Sequence, residues 1–381
     1  MEAIKKRPAA HFHHGHDVKV FIKKNAVMII ALLAATVTCF FVPLDREYLS
    51  YFDFKTLTCL FCVLAVVCAL KNINFFYILA QKIVSVFKTT RSSILALVYV
   101  TFIGSMLIAN DMALLTFLPL GFFVLNVTGK KKHMAFTFIM QTLAANLGGM
   151  LTPFGNPQNL YLYTKFSIPA WELMSIMAVP FILSIALITA CCFIFVRKEA
   201  LDLPREKVPL DTKKAITYLV LFALSIIIVF RIIHYLIGLA VIVLSLLILD
   251  RKALKSVDYG LLLTFVFFFV FSGNMARIPA VRNTFSALLE KNTLLVTTLS
   301  CQMISNVPTA ILMSQFTGNY PQLLLGVNIG GVGTLISSLA SLITFREYTA
   351  HNPHGAGKYI AEFSAFNFGF LGVMLAVCSL L

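Results

Sequence analysis

Apolar runs of roughly 17 to 25 residues follow one another from Ala26 to Leu381, separated only by short polar turns. A helix of about 20 apolar residues matches the ~30 Å hydrocarbon core of a bilayer, so this spacing names the solvent before any motif is consulted. Water is excluded in that role: 59% of the residues are hydrophobic and only 12% charged, at a mean hydropathy of +0.88. No soluble domain of useful size fits between the runs. The expected fold class is an all-α polytopic membrane protein, a single unit embedded in lipid.

A net charge of +15 raises nucleic acid as a partner. The Lys and Arg residues, however, sit in short loops between apolar segments and build no single basic face, so they read as topology signals and no nucleic acid is expected. The basic stretch 1–25 lacks a small-residue cleavage site after a short apolar core and reads as a retained cytoplasmic tail. Its His11, His13, His14 and His16 are read as a mobile polar tail rather than a metal site. All eight cysteines fall inside apolar segments as small packing residues, which implies no disulfide framework. Cys59 and Cys62 have CxxC spacing, but inside a continuous apolar helix with no second pair, so packing is expected there too. No cofactor and no resident metal are expected.

Threading starts from a cytoplasmic N-terminus. Ala26 to Val42 crosses outward, Phe54 to Leu70 returns, and the mixed basic and apolar stretch from Lys71 to Arg91 suits an interfacial helix. The segment 93–128 is about 54 Å long as a helix, too long for one crossing, and carries Lys88 and Arg91 before it and Lys130, Lys131 and Lys132 after it. Basic flanks at both ends place both ends on one side, which a re-entrant hairpin satisfies. Its one polar break, Asn110 and Asp111, is the expected tip. The next segment, 134–163, contains Gly148, Gly149, Pro153, Gly155 and Pro157, a density that predicts a helix broken in mid-membrane. Ala170 to Val196 returns, a charged loop with a linking helix occupies 197–234, and the chain arrives outside.

The same order then repeats in opposite orientation. Leu236 to Leu249 and Tyr259 to Ser272 span, Arg277 to Lys291 is amphipathic, a second hairpin occupies 293–317, a second broken helix 321–345, and a last span runs to an outside C-terminus. The architecture is thus two inverted repeats, 26–196 and 235–381, with about nine spanning helices, two re-entrant hairpins and two broken helices. Of the 31 Lys and Arg residues, 24 fall in segments threaded to the cytoplasm and seven outside. That asymmetry supports the threading.

Aligning the halves superposes polar positions. "IANDMALL" lies over "ISNVPTAIL", matching Asn110 with Asn306, and "ANLGGMLT" lies over "VNIGGVGT". The second match pairs Asn146 with Asn328, Gly148 with Gly330, Gly149 with Gly331 and Thr152 with Thr334. Unwound backbone at membrane depth leaves N–H and C=O groups free, which is tolerable only where protein, a cavity, an ion or a solute meets them. The expected substrate- and ion-binding set is therefore Asn110, Asp111, Asn146, Gly148, Gly149, Thr152, Asn156, Ser305, Asn306, Thr309, Asn328, Gly330, Gly331 and Thr334. A Na⁺ would lie at Asn110, Asp111 and Asn146. The alternative for the Asn and Gly-Gly positions is tight helix packing through small residues. Asp111, opposite the apolar Val307, is read as a site for Na⁺ or proton coupling, or as the N-cap of the hairpin's second arm. "NPQN", Asn156 to Asn159, lines the outer part of a pathway or ends the broken region.

At these residues the chain resembles the ion transporter superfamily, in its citrate transporter-like group with the arsenite permeases and NhaD-type antiporters. The resemblance rests on "IANDMALLTFLPL", "AANLGGMLTPFGNPQN", "SNVPTAIL" and "GVNIGGVGTLISSLASL" and covers nearly the whole membrane region. It implies an elevator-like secondary transporter with a scaffold and a moving part, a homodimer in related dicarboxylate carriers, whose hairpin tips carry Ser-Asn-Thr motifs. Here the tips read Ala109-Asn110-Asp111 and Ser305-Asn306-Val307, which departs from the dicarboxylate pattern.

The function expected is a permease in the cell inner membrane that moves a small inorganic or organic anion or oxyanion, coupled to Na⁺ or H⁺. A Na⁺/H⁺ antiporter on the same scaffold is the alternative. A membrane-embedded enzyme is a third reading, without support from any HExxH, GxSxG or paired intramembrane Asp.

Overall fold

The computed structural model describes residues 25–201 and 210–380; the basic tail with its four histidines lies outside the described residues. Seventeen α-helices run through the described chain. The first half contains α1 (Ala26–Cys39), α2 (Phe54–Asn72), α3 (Phe75–Val84), α4 (Thr90–Ile108), α5 (Asn110–Val127), α6 (Met134–Gly148), α7 (Pro157–Lys165) and α8 (Ala170–Phe195). After α9 (Thr212–Val229) the second half contains α10 (Tyr235–Leu249), α11 (Arg251–Lys255), α12 (Tyr259–Arg277), α13 (Pro279–Ile304), α14 (Asn306–Met313), α15 (Tyr320–Ile329), α16 (Leu339–His351) and α17 (Ala356–Cys378). The expected all-α polytopic membrane fold is present.

Eight helical segments are long and apolar enough to cross a bilayer, and the two arms of the first hairpin, α4 and α5, are among them. The opening helix α1 ends three residues before the Val42 read from sequence, while α10 extends the expected Leu236 to Leu249 by one residue. At 14 and 15 residues, α1 and α10 reach only about 21 and 22 Å. The interfacial stretch becomes the ten-residue α3, entered through Asn74 in the left-handed conformation at φ 55°.

The first hairpin closes where charge demanded. Glu199, in the loop after α8, accepts hydrogen bonds from Lys130 and Lys132 just beyond α5, while its backbone carbonyl accepts from Thr90 N at the start of α4. One short loop therefore touches both ends of the segment 90–130, which a single crossing would hold a membrane apart. Gln141 of α6 braces the two arms from inside, donating to Thr101 Oγ1 on α4 at 3.0 Å and to the Phe117 carbonyl on α5 at 3.2 Å.

The second hairpin is shorter. Its first arm is the last part of α13, set off from the amphipathic part by a kink at Asn292 (φ −162°, ψ 90°), whose side chain caps the arm by accepting from Leu295 N at 2.8 Å. Its second arm, α14, has eight residues. Phe285 and Phe316 stack at 5.2 Å across the base, so here too the ends come together.

Candidate functional site

Each hairpin turns on one residue. Ala109 (φ 64°, ψ 151°) separates α4 from α5, and Ser305 (φ 75°, ψ 160°) separates α13 from α14. For a residue with a Cβ this backbone region costs on the order of 1–3 kcal/mol, so the surroundings must hold it in place. Part of that hold is local. The next residue folds its side chain back, and Asn110 Oδ1 accepts from Asp111 N while Asn306 Oδ1 accepts from Val307 N, each at 2.9 Å.

The broken helices supply the rest. Between α6 and α7 the chain passes through a single 3₁₀ turn and an irregular stretch, and between α15 and α16 through residues 330–338. Thr152 Oγ1 donates to the Met106 carbonyl at 2.7 Å, and Thr334 Oγ1 donates to the Gln302 carbonyl at 3.1 Å. Met106 and Gln302 stand four residues before Asn110 and Asn306, so the two threonines do the same job in the two halves. The first glycines of the two Gly-Gly pairs let helix and hairpin touch. A Cβ on Gly148 would lie 2.3 Å from the Phe102 carbonyl oxygen, and one on Gly330 2.9 Å from Cys301 Cβ.

The two breaks also interlock. Asn146 Oδ1 accepts from Asn110 Nδ2 at 3.1 Å and from Ser338 Oγ at 2.8 Å, while its Nδ2 donates to the Gly331 carbonyl at 3.3 Å. In the other half Asn328 Oδ1 accepts from Asn156 Nδ2 at 3.2 Å, and Asn328 Nδ2 donates to Asn159 Oδ1 at 2.7 Å. Tip and break join again where Asn306 N donates to the Ser337 carbonyl at 2.9 Å. All these asparagines are buried. In a low-dielectric interior an unpaired amide is costly, so such a network specifies one arrangement of the four segments.

In front of this network lies a cavity of about 550 Å³. Asn110, Asp111, Ser305, Asn306 and Val307 of the tips line it, with Pro157, Gln158, Ser338 and Leu339 from the helices that resume after the breaks. Apolar residues of α1 and α12, such as Phe268 and Phe271, form the opposite wall, and the cavity extends to Asn25 and Asp258. Among the described lining residues the charged groups are Asp111 and Asp258, and no Lys or Arg lines it.

The expected site residues thus divide in two. Asn110, Asp111, Ser305 and Asn306 line the cavity; Asn146, Gly148, Gly149, Thr152, Asn156, Thr309, Asn328, Gly330, Gly331 and Thr334 do not. Thr309 directs its hydroxyl to the Ser305 carbonyl at 2.7 Å, within its own helix. The oxygens of Asn110 and Asn146 already accept hydrogen bonds, whereas Asp111 Oδ1 has no partner. Gln158, Asn159, Gln302 and Ser338 carry no individual mark in the sequence; the "NPQN" run is the one signal pointing to the first two. Among the described residues no three His, Cys, Asp or Glu side chains gather as metal ligands, and the eight cysteines are unpaired.

Charge outside the spans is paired at two loops. Hydrogen bonds from Lys130 and Lys132 hold the Glu199 carboxyl down at about 2, and a hydrogen bond from Arg277 likewise lowers Asp45.

Residues 20–322 match the family model described as citrate transporter. The chain is 32% identical to an uncharacterized transporter of Methanocaldococcus jannaschii over 336 residues, 87% of this chain and 89% of that protein. It is 29% identical to the inner membrane protein YbiR of Escherichia coli K12 over 321 residues, 81% and 83% of the two chains. With its helix breaks and hairpin tips gathered around one polar-floored cavity, the chain is a membrane transporter that belongs to the citrate transporter family.

Proposed function

We propose that this protein is a secondary active transporter that moves a small anion or oxyanion across the cell inner membrane, coupled to Na⁺ or H⁺, by elevator-type alternating access. One observation carries the reading: four helices, α5, α7, α14 and α16, begin at the cavity, and the first residue of each, Asn110, Pro157, Asn306 and Leu339, lines it. Helix N-termini present the positive end of the peptide dipole. They attract an anion into a cavity without lysine or arginine lining, and a co-bound cation beside Asp111 balances the charge.

The domain reading follows from the same geometry: repeats 26–196 and 235–381, joined by 197–234, each contribute one hairpin and one broken helix to the moving part. The N-terminus is cytoplasmic and the C-terminus outside. Asp258 and Asn25 then lie at the cytoplasmic end, so the cavity is open inward. A homodimer formed through the scaffold fits this arrangement.

Uptake of labelled anions into proteoliposomes under a Na⁺ or H⁺ gradient tests the proposal. A panel of a tricarboxylate, a dicarboxylate, phosphate, sulfate and arsenite should contain at least one solute whose uptake requires the gradient and is lost in Asp111→Asn. No gradient-driven uptake of any of them would overturn it. A Na⁺/H⁺ antiporter is the second reading, favoured by the all-acidic charge of the described cavity lining. Na⁺-evoked dequenching of a pH dye, with no response to any anion, would select it.

A further inference from the structure

Two sets of helices pack on themselves. In one, α1 lies on α12, and α9 and α10 lie on α2; in the other, the two hairpins pack on α6 and α15, with α8 and α17 against α6. The side-chain hydrogen bonds of the tips, the breaks and the paired loops each stay inside one set. Helix α7 touches both, packing on α14 and α15 and also on α2. Its first residue, Pro157, lines the cavity, and its other end is gripped by Arg231, from the loop between α9 and α10.

Arg231 meets the end of α7 in two ways. A guanidinium nitrogen donates to the Tyr163 carbonyl, and Arg231 Cζ sits 4.2 Å from the centroid of the Tyr163 ring. The same carbonyl accepts from Ile168 N at 3.1 Å, the bond that closes the helix, so the cation lies at the negative end of α7. The neighbouring Phe230 packs edge-on at 6.1 Å against Phe154, in the irregular stretch between α6 and α7. Residues 230 and 231 therefore hold the chain on both sides of α7. The loop itself does not call for an arginine. Arg231 ends α9 at φ 63°, and Ile232 N closes over it onto the Ile227 carbonyl at 3.2 Å. Glycine is the usual residue at such a helix end, because a Cβ is strained in that backbone region. Arg231 Nε, moreover, is buried without a hydrogen-bond partner. What offsets both penalties is the contact with Tyr163.

We infer that Arg231 is a positioning residue of the transport cycle: it holds the outer end of α7 against α9 and α10, and so keeps the cavity in its inward-open position until the contact breaks. This rests on the alternating-access reading above. In that reading α7 travels with the tips while α9 and α10 stay, so the Arg231–Tyr163 contact is a bond that the movement must sever. Its loss removes an interaction made in the inward position and shifts the population outward.

The test is the side from which the cavity can be labelled. Val307→Cys, in a Cys39→Ser, Cys191→Ser background, reports the cavity to a membrane-impermeant maleimide in sealed oriented vesicles. Adding Arg231→Gly should raise the ratio of outside to cytoplasmic labelling rate by about ten-fold, as expected for one lost charge-assisted hydrogen bond. The thermal midpoint in detergent should stay level or rise, since glycine suits the positive φ, and that separates a lost grip from a poorly folded variant. Arg231→Lys, which keeps the charge without the planar fork, should give a ratio between those of Arg231 and Arg231→Gly. An unchanged ratio in Arg231→Gly, whatever its midpoint, would overturn the inference and leave the anion-uptake measurement free to stand. A shifted ratio in a protein that takes up no anion would keep the role of Arg231 and remove the anion from the proposal.

Discussion

Asn146 in the middle of the first broken helix accepts a hydrogen bond from Ser338, at the start of the second half of the other broken helix, at 2.8 Å. Its counterpart Asn328 accepts from Asn156, which occupies the matching position in the first half, at 3.2 Å. Each break is therefore completed by the other. Removing one should loosen both, and removing two bonded partners should not cost twice as much. In a double-mutant cycle, Asn146→Ala and Ser338→Ala should show a coupling of about 0.5–3 kcal/mol in the unfolding midpoint. Simple additivity would mean that the breaks are independent.

Thr152 and Thr334 tie the breaks to hairpin carbonyls four residues before the tips. Thr→Val keeps the shape and removes the bond. Each variant should lose about 0.5–1.5 kcal/mol of stability by denaturant or thermal midpoint, and the two losses should be similar. A loss in one half alone would argue against equivalent roles.

Gly148 and Gly357 are both helical, yet they should respond oppositely to Ala. A Cβ on Gly148 meets the Phe102 backbone oxygen at 2.3 Å, so α4 and α6 must separate; Gly357 has nothing within 4 Å. Gly148→Ala should destabilise and reduce transport. Gly357→Ala should be neutral or stabilise by up to about 1 kcal/mol, since alanine favours the helix.

Glu199 closes the base of the first hairpin with a carboxyl lowered from 4.5 to about 2. A carboxylate with a depressed folded-state value stabilises the protein above its unfolded value, and that contribution disappears as the pH falls through the folded one. The thermal midpoint should therefore fall between pH 4.5 and 2. In Glu199→Gln that part of the slope should vanish, leaving the weaker dependence that Asp45 and other carboxylates contribute. An unchanged slope would show that the lysine contacts are not formed in solution.

Much of this was legible in the chain because the bilayer leaves few choices. A run of 36 residues with lysines at both ends and one polar break has to double back, and the tip fell beside Asn110 as the charges required. The repeated N-x-G-G-x-x-T element located both breaks. What could not be read was rotational and long-range. Gln158 and Asn159 are adjacent, and only the direction in which α7 starts decides that Asn159 bonds Asn328 while Gln158 faces the cavity. The matching of Asn156 with Ser338 is hidden because the two side chains differ chemically while serving the same bond. Nothing in the composition of the tips marks Ala109 and Ser305 as the turning residues, since neither is the glycine that such a backbone favours. The kink at Asn292 falls at the boundary read from sequence between the amphipathic stretch ending at Lys291 and the hairpin starting at 293.

The central claim is that the two hairpin tips open onto one water-reachable cavity. Asp111→Cys and Val307→Cys, each in a Cys39→Ser, Cys191→Ser background that removes the partly exposed native thiols, can be labelled in sealed oriented vesicles with a membrane-impermeant maleimide. The account predicts that both positions react, and from the same side of the membrane. Labelling of the two from opposite sides, or of neither, would contradict it.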